Sequence, residues 1–174
     1  STITSDQVGW IEQGGNWYFR YPDGTYLTNN WLTLQDCWYR FDSNGVMLTG
    51  WQYLDGQWYY LKPYTGGPKG ALATGWNYIN GKWYFLNTGM FTNLPGGAMV
   101  TGWLTVNGKQ YYLDASGAMV EGWAKIGDDY YYFHPGTGEK AYNTTIGVIL
   151  AANQLETEGD ISRDQLLLIP RKRG

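Results

Sequence analysis

The chain has 174 residues and a formal net charge of −3, and its 25 glycines, 10 tryptophans, 16 tyrosines and 5 phenylalanines exceed what an ordinary globular domain contains. Its 12 lysines and arginines form no basic stripe, which argues against nucleic acid as a partner. A single cysteine cannot form an intramolecular disulfide, and no segment has the ~20 apolar residues of a membrane span, so membrane insertion is not expected.

A polar lead-in, residues 1–8, precedes a repeat region that covers residues 9–143. Each unit begins with a Trp, usually after Gly, and a second aromatic cluster follows seven residues later. The first Trp residues of the six units are Trp10, Trp31, Trp51, Trp76, Trp103 and Trp123. Units recur every 20 or 21 residues, except where residues 63–69 and 88–96 insert extra Gly and Pro, which we interpret as surface loops. Six copies of one short unit define a repeat protein.

Each unit predicts a β-hairpin. Three units carry dipeptides typical of tight two-residue turns, namely Asp55-Gly56, Asn80-Gly81 and Asn107-Gly108. A turn at Asn80-Gly81 predicts one face formed by Trp76, Tyr78, Trp83 and Phe85. Tyr84 then lies on the other face. Because isolated hairpins are marginal in water and stacked hairpins bury each other's faces, the predicted fold is an all-β solenoid of stacked β-hairpins, one per repeat of about 20 residues.

The repeat stops at residue 144, and residues 144–174 carry two short apolar runs around a polar, acidic stretch. A solenoid must cover its last hairpin, so a C-terminal cap is the first interpretation. The apolar runs also fit a homodimer contact, and a partly disordered or foreign segment is the third alternative. Strand and helix both stay open, because residues 148–150 favour strand and residues 151–158 favour helix.

The paired tryptophans predict a binding function. Single rings such as Tyr60, Phe85, Tyr112 and Tyr132 are interpreted as core. Two indoles on one hairpin face differ, because a Tyr from the opposite face of the next hairpin closes them into a three-walled aromatic box. Such a box suits a quaternary ammonium group through cation–π attraction, at about 0.5–2 kcal/mol per contact. A Met or Leu of the following Gly-x-Met element supplies a fourth, aliphatic wall.

The order of Gly-Trp, a two-residue turn, Trp-Tyr-Tyr or Trp-Tyr-Phe, and Gly-Ala-Met resembles the choline-binding repeats of surface proteins from pneumococci and their phages. The resemblance implies a left-handed superhelix of hairpins that binds choline or phosphocholine of teichoic or lipoteichoic acid between successive repeats. It also implies a secreted, cell-wall-associated bacterial surface protein, in which this non-catalytic module anchors a free-standing protein or a murein hydrolase. Whether a catalytic domain precedes Ser1 stays open.

Carried over residue by residue, the resemblance implies four boxes. They combine Trp10, Trp17 and Tyr39; Trp31, Trp38 and Tyr59; Trp51, Trp58 and Tyr84; and Trp76, Trp83 and Tyr111. The implied fourth walls are Met47, Leu72, Met99 and Met119.

Two units depart from the pattern. Gln110 stands where the second Trp belongs, and Tyr130 replaces it in the last unit, which no repeat follows. Because glutamine offers no π face, we expect the Trp103 position to be empty, or nearly so, in a choline complex. Arg40 shares the predicted face of Trp31, where its guanidinium either stacks on an indole or repels choline. We expect the two insertions to reshape the third and fourth boxes.

No arrangement of residues predicts catalysis. The lone His134 has no nucleophile at a suggestive spacing. Asp55, Asp114 and Asp128-Asp129 recur at turns, where Asp accepts from local backbone N–H groups. One His and one Cys nearly exclude a zinc site. We expect neither an enzyme nor a metal or cofactor.

Two other binding functions stay open. Carbohydrate-binding repeats of the glucan or toxin type share the Gly-Trp and Tyr-Tyr-Phe rhythm, and aromatic platforms also stack sugars. The Trp-Tyr-Tyr clusters and the Gly-Ala-Met element favour choline. An adhesin that binds a host protein through the inserted loops is compatible with a choline-binding module.

Overall fold

The computed structural model describes residues 7–64 and 69–142, together with Leu150. Within these residues, consecutive strands form six two-stranded antiparallel sheets. The strands are β1 (Gly9–Gln13), β2 (Asn16–Arg20), β3 (Asn30–Leu34), β4 (Cys37–Phe41), β5 (Gly50–Leu54), β6 (Gln57–Leu61), β7 (Gly75–Ile79), β8 (Lys82–Leu86), β9 (Gly102–Val106), β10 (Lys109–Leu113), β11 (Gly122–Ile126) and β12 (Asp129–Phe133). The prediction of an all-β fold with one hairpin per repeat is confirmed.

Tight turns with positive φ join the strands of each hairpin. Asn80-Gly81 has φ of 49° and 85°, and the turns at Asp55-Gly56 and Asn107-Gly108 are alike, as their dipeptides predict. Two positive φ values match the turn to the twist of the flanking strands. The β3–β4 turn instead uses Gln35-Asp36, with φ of 50° and 61°. These are non-glycine residues in a region that costs each about 1–2 kcal/mol, and no glycine marks this turn in the sequence.

The strand register separates the side chains of each hairpin onto two faces. In β5–β6 the opposed pairs are Trp51 with Tyr60, Gln52 with Tyr59, and Tyr53 with Trp58. Directly opposed residues share a face, so both tryptophans lie on one face and Tyr59 lies on the other. The hairpins β1–β2, β3–β4, β9–β10 and β11–β12 have the same offset between Trp and its partner.

After the second and later hairpins, a short segment makes a backbone hydrogen bond to an earlier strand. After β4, the Asp42 N–H donates to the Val46 carbonyl, and a single β-bridge pairs Phe41 with Met47. The Met47 N–H then donates to the carbonyl of Trp17 in the preceding hairpin at 2.8 Å. The same link, also at 2.8 Å, joins Leu72 to Trp38, Met99 to Trp58, Met119 to Trp83 and Lys140 to Gln110. In the second to fifth repeats, the last residue of the Gly-x-Met element therefore lies beside the second Trp of the preceding Trp pair.

The chain divides into two compact units. The first comprises Ser1–Asn77 and Leu86–Met99, and the second comprises Tyr78–Phe85 and Val100–Gly174. A buried cluster in the first unit contains Leu27, Tyr39, Phe41, Met47 and Ala71. In the second unit Tyr132 and Ala141 are buried together, and Trp123 and Leu150 pack against them.

Several predictions fall on residues outside the described part of the chain. The C-terminal cap, and the homodimer contact assigned to residues 144–174, lie there except for Leu150. Residues 1–6 of the lead-in and residues 65–68 of the first insertion also lie there. The left-handed superhelix implied by the resemblance stays a prediction. Among the described residues, no helix has the length and apolar character needed to cross a bilayer.

Candidate functional site

The second position, named for the repeat that supplies its Trp pair, brings four predicted walls together. The ring centroids of Trp31 on β3 and Trp38 on β4 lie 6.4 Å apart, with an interplanar angle of 77°. Tyr59 on β6 lies 5.3 Å from Trp31 at 70°. Leu72 donates its N–H to the Trp38 carbonyl and lines the same cavity as the three rings. Trp38 and Tyr59 each stand steeply to Trp31, so the three rings line a cavity instead of forming a flat platform.

The first position repeats this geometry with different residues. Trp10 and Trp17 lie 6.2 Å apart at 84°, and Tyr39 lies 4.9 Å from Trp10 at 75°. Met47 is buried and hydrogen-bonds through its backbone to Trp17. The structure thus brings together every side chain that the resemblance implies for the first two boxes, and ligand binding by them stays a prediction.

Glycines of the following repeat lie close to Met47 and Leu72 and leave no room for a side chain of their own. A Cβ placed on Gly70 would lie 2.5 Å from Met47 Sδ, and one placed on Gly97 would lie 2.5 Å from Leu72 Cδ2. Both glycines also have positive φ, of 84° and 82°. The rotamers of Met47 and Leu72 therefore depend on the absence of a side chain one repeat later.

In the first two triplets the closing tyrosines are buried, whereas tryptophan surface is accessible. Tyr39 and Tyr59 are 8% and 7% exposed, whereas Trp38 is 49% exposed. Burial, followed by the Asp55 carboxylate, raises the pKa of the Tyr59 phenol, and burial likewise raises the pKa of Tyr39. The closing tyrosines are therefore neutral rings at physiological pH, and the tryptophans retain open surface.

A cavity of about 450 Å³ opens at the second position. Asp36 of the β3–β4 turn contributes to its lining, together with Thr74, Asn87, Thr88, Pro95 and Gly96. Asn87 is fully buried and donates from Nδ2 to the carbonyls of Leu94 and Pro95, which holds the insertion at residues 88–96 in place. The sequence predicts an influence of this insertion on the third and fourth positions, and the structure adds the second, which the prediction missed.

Arg40 stacks on an indole, one of the two alternatives that the sequence leaves open. Its Cζ lies 5.6 Å from the Trp31 ring centroid, and Nη2 donates to Asn29 Oδ1 at 3.5 Å. Arg40 is also the cross-strand partner of Trp31. The guanidinium therefore orients one wall of the second position.

Members of the third and fourth triplets divide between the two units, so these boxes stay predictions. In the first unit, Trp51 packs on Tyr60 with centroids 5.1 Å apart, and Trp58 is 43% exposed. Met99 donates its N–H to the Trp58 carbonyl. Of the other rings of these two triplets, Trp76 belongs to the first unit. The second unit contains Trp83, Tyr84 and Tyr111.

The second unit also contains a cavity, of about 440 Å³. Trp83 and Met119, two members of the fourth box, line it with Asp114 and Glu121. The Met119 N–H donates to the Trp83 carbonyl at 2.8 Å. The expected fourth wall therefore lies beside its tryptophan.

The fifth position has the same strand register as the first three but different side chains at two of its four walls. Trp103 on β9 and Tyr131 on β12 lie 4.9 Å apart at 76°. Gln110 occupies the register of the second indole, and Lys140 occupies that of the fourth wall. The sequence carried a signal for Lys140, since it follows Gly138 by two residues as Met119 follows Gly117, but the prediction did not use it.

Asp114, one of the acidic residues interpreted as turn chemistry, acts in a turn. The Asp114 carboxylate accepts from Ser116 N–H, Ser116 Oγ–H and Ala118 N–H, which confirms its interpretation as turn chemistry. His134 lies beside Tyr132, with ring centroids 5.9 Å apart. The described residues contain no cluster of three His, Cys, Asp or Glu side chains that could hold a metal ion.

Two family profiles match the repeats. The profile described as a choline-binding repeat matches residues 27–70 and 100–144, more than half of the chain. A second, described as a cell wall binding repeat, matches residues 8–26 and 74–89. No curated protein gives a match.

Solved structures of larger proteins contain similar repeats. Choline binding protein F from Streptococcus pneumoniae is 37% identical, with a TM-score of 0.68 over 80% of this chain and 43% of that one. The same protein in the presence of a tetrasaccharide-pentapeptide peptidoglycan analogue is 38% identical, with a TM-score of 0.67 over 78% and 45% of the two chains. The multimodular pneumococcal cell wall endolysin from phage Cp-1, complexed with choline, is 34% identical, with a TM-score of 0.50 over 78% and 37%. This chain spans less than half the length of these proteins, and it belongs to the choline-binding repeat family.

Proposed function

We propose that this chain is a non-catalytic module whose aromatic boxes bind choline or phosphocholine of teichoic or lipoteichoic acid, and so attach a bacterial surface protein or murein hydrolase to the cell wall. The observation that carries this proposal is the second position. There Trp38 and Tyr59 stand at 77° and 70° to Trp31, and the three rings line a cavity of about 450 Å³ with Leu72 as an aliphatic wall.

The chemistry of a trimethylammonium group fits these walls. Such a cation has no N–H and cannot be recognised by hydrogen bonds, so only π faces, aliphatic contacts and opposite charge attract it. Each indole or phenol face contributes about 0.5–2 kcal/mol, depending on how well it is desolvated. Asp36 adds a carboxylate to the lining of the cavity. The expected affinity of one position is weak, with a Kd in the millimolar range, or about −4 kcal/mol.

Ring orientation favours a cation over a glucan. A pyranose stacks its flat face on one accessible ring, whereas the interplanar angles at the first two positions, 75° and 84° or 70° and 77°, surround a roughly spherical group. The relative from phage Cp-1, which is complexed with choline, supports the same choice. Glucose oligomers therefore serve as a control ligand that we expect not to bind.

Several weak positions suffice for attachment to a wall. A teichoic acid that presents many phosphocholine groups turns the second binding event into an intramolecular one. Effective concentration then raises avidity by about 10²–10⁴ over a single site. The structure of choline binding protein F with a peptidoglycan analogue supports the wall as the place of action.

Choline titration of tryptophan fluorescence and thermal unfolding tests the proposal. We expect quenching and a rise in melting temperature, because a ligand that binds only the folded state stabilises it by mass action. The matched control is 3,3-dimethylbutanol, which has the shape of choline without its charge, and glucose oligomers are the second control. No response to choline at tens of millimolar, or an equal response to the neutral analogue, contradicts the proposal.

A further inference from the structure

The fifth position contains a cation of the protein itself. Lys140 Nζ lies 5.3 Å from the Tyr131 ring centroid and 5.9 Å from the Trp103 ring centroid. It also donates a hydrogen bond to Gln110 Oε1 at 3.3 Å. An ammonium within about 6 Å of two ring centroids is within cation–π range of both.

The backbone directs Lys140 into this place. Its N–H donates to the Gln110 carbonyl at 2.8 Å, and a β-bridge pairs it with Phe133. Met119 makes the equivalent link to Trp83 one repeat earlier. Lys140 therefore stands where other repeats place an aliphatic fourth wall, and its longer side chain extends from that wall over the rings.

The two exchanged side chains are chemically matched to each other. A primary ammonium has N–H groups that seek an acceptor, and the Gln110 amide oxygen supplies one where an indole would supply only a π face. A quaternary ammonium could not use that oxygen as an acceptor of hydrogen bonds. The pair of Gln110 and Lys140 thus suits a primary ammonium and disfavours choline.

We propose that Lys140 is a built-in ligand of the fifth box, which joins the fifth and sixth hairpins without choline and excludes choline from this position. The naming of choline as the excluded ligand rests on the function proposed above, whereas the occupancy by Lys140 rests on these contacts alone. Because the cation is tethered, it binds without loss of translational freedom. The sixth hairpin is therefore held to the fifth in the absence of a ligand.

Stability measurements without choline test the occupancy. We expect Lys140→Met, which keeps an unbranched apolar side chain, to lower the melting temperature by about 2–4 °C. Lys140→Arg, which retains a stacking cation, restores most of the loss. The matched control is Lys125→Met, because among the described residues Lys125 Nζ lies over a single ring, that of Tyr130 in the same hairpin, at 5.7 Å. A loss no greater than that of Lys125→Met overturns the proposal.

NMR of ¹³C-lysine in the intact protein provides a direct readout. We expect the Lys140 ε-methylene protons to be shifted upfield by the ring currents of Trp103 and Tyr131. Random-coil shifts for these protons overturn the proposal.

Choline titrations of Gln110→Trp and of the double variant Gln110→Trp, Lys140→Met test the exclusion. We expect the indole alone to add no site, because Lys140 still fills the box, and the double variant to add one. A choline-induced shift of the Trp103 resonances in the parent protein overturns the exclusion. If choline moves no tryptophan resonance anywhere, the proposed function fails, while the melting and ring-current results still decide the role of Lys140.

Discussion

The second and fifth positions share a backbone frame and carry different side chains at the places of the second indole and the fourth wall. In each, a Trp of the first strand meets a Tyr of the next hairpin, at 5.3 Å and 70° in one case and 4.9 Å and 76° in the other. The second position adds Trp38 and Leu72 and leaves a cavity, whereas the fifth adds Gln110 and Lys140, with the ammonium lying over both rings. We therefore expect choline occupancy to follow these two exchanges, neither of which alters the hairpin.

The largest expected effect comes from Gly97→Ala, which deforms the open position from outside. The substitution strains a positive φ and forces Leu72 to move, since the new Cβ would lie 2.5 Å from Leu72 Cδ2. We expect the free energy of unfolding to fall by about 2–4 kcal/mol, seen as a fall of about 5–10 °C in melting temperature. Choline binding should also weaken.

Gly89→Ala is the control for Gly97→Ala. Gly89 has φ of 87°, and its Cβ would meet nothing within 4 Å, so this variant carries the backbone strain without the collision. We expect this variant to lower the free energy of unfolding by about 1–2 kcal/mol and to leave the choline affinity unchanged. Equal effects of the two alanines on choline affinity would show that the wall does not depend on Gly97.

Removing one tryptophan from each position sharpens the comparison. Trp38→Ala removes a half-exposed wall of the second position, and we expect choline affinity there to fall about 5- to 30-fold. Wall retention should fall further, because avidity multiplies the loss. Trp103→Ala should lower stability and leave the choline stoichiometry unchanged. Isothermal titration measures the choline affinity and stoichiometry, and sedimentation with purified walls measures wall retention. Full wall binding by a folded Trp38→Ala protein contradicts the role of the second position.

Alkaline pH tests whether the second position depends on a neutral closing ring. Burial and the Asp55 carboxylate raise the Tyr59 pKa above its ordinary value of about 10. Because the folded-state pKa lies above the unfolded one, the contribution of neutral Tyr59 to the free energy of unfolding is complete below pH ~10. This contribution is lost as pH rises through the folded-state value. We expect the melting temperature to fall above pH ~10, and less steeply in Tyr59→Phe. An unchanged slope in that variant would assign the alkaline loss to other groups.

The smallest expected effect belongs to Asp36→Asn. Asparagine tolerates the positive φ of 61° at this turn, so the substitution removes the charge and keeps the backbone. Because Asp36 is exposed, screening limits its attraction for a cation, and we expect choline affinity to fall about twofold at low salt and not at all in 1 M NaCl. Isothermal titration at the two salt concentrations measures the difference, and a salt-independent loss contradicts an electrostatic role.

Local signals predicted the frame well. Asn80-Gly81 and its equivalents fix the hairpin register, and the spacing of seven residues between paired tryptophans follows from it. The contacts between Trp31 and Tyr59 could be predicted because alternation decides which face each residue occupies.

Contacts made by irregular segments could not be predicted in the same way. Asp36 reaches the second position through a turn without glycine, and Thr88 through the path of an insertion, neither of which has a periodicity. The substitution at Gln110 was visible in the sequence, but its partner Lys140 lies 30 residues later. The spacing from Gly138 marks the position of Lys140, but only the structure shows that its ammonium reaches Gln110 and the two rings.

The close approach of later glycines to Met47 and Leu72 makes these positions sensitive to residues outside their own hairpins. The first position takes its rings from two repeats, and Gly70 of a third presses on Met47; the second position depends in the same way on Gly97. A side chain added at either glycine therefore disturbs a site that contains none of the aromatic residues of that glycine's repeat. The glycine of one repeat determines the space left for a side chain that lines a position two repeats earlier, so repeats that share no aromatic contact are still constrained together.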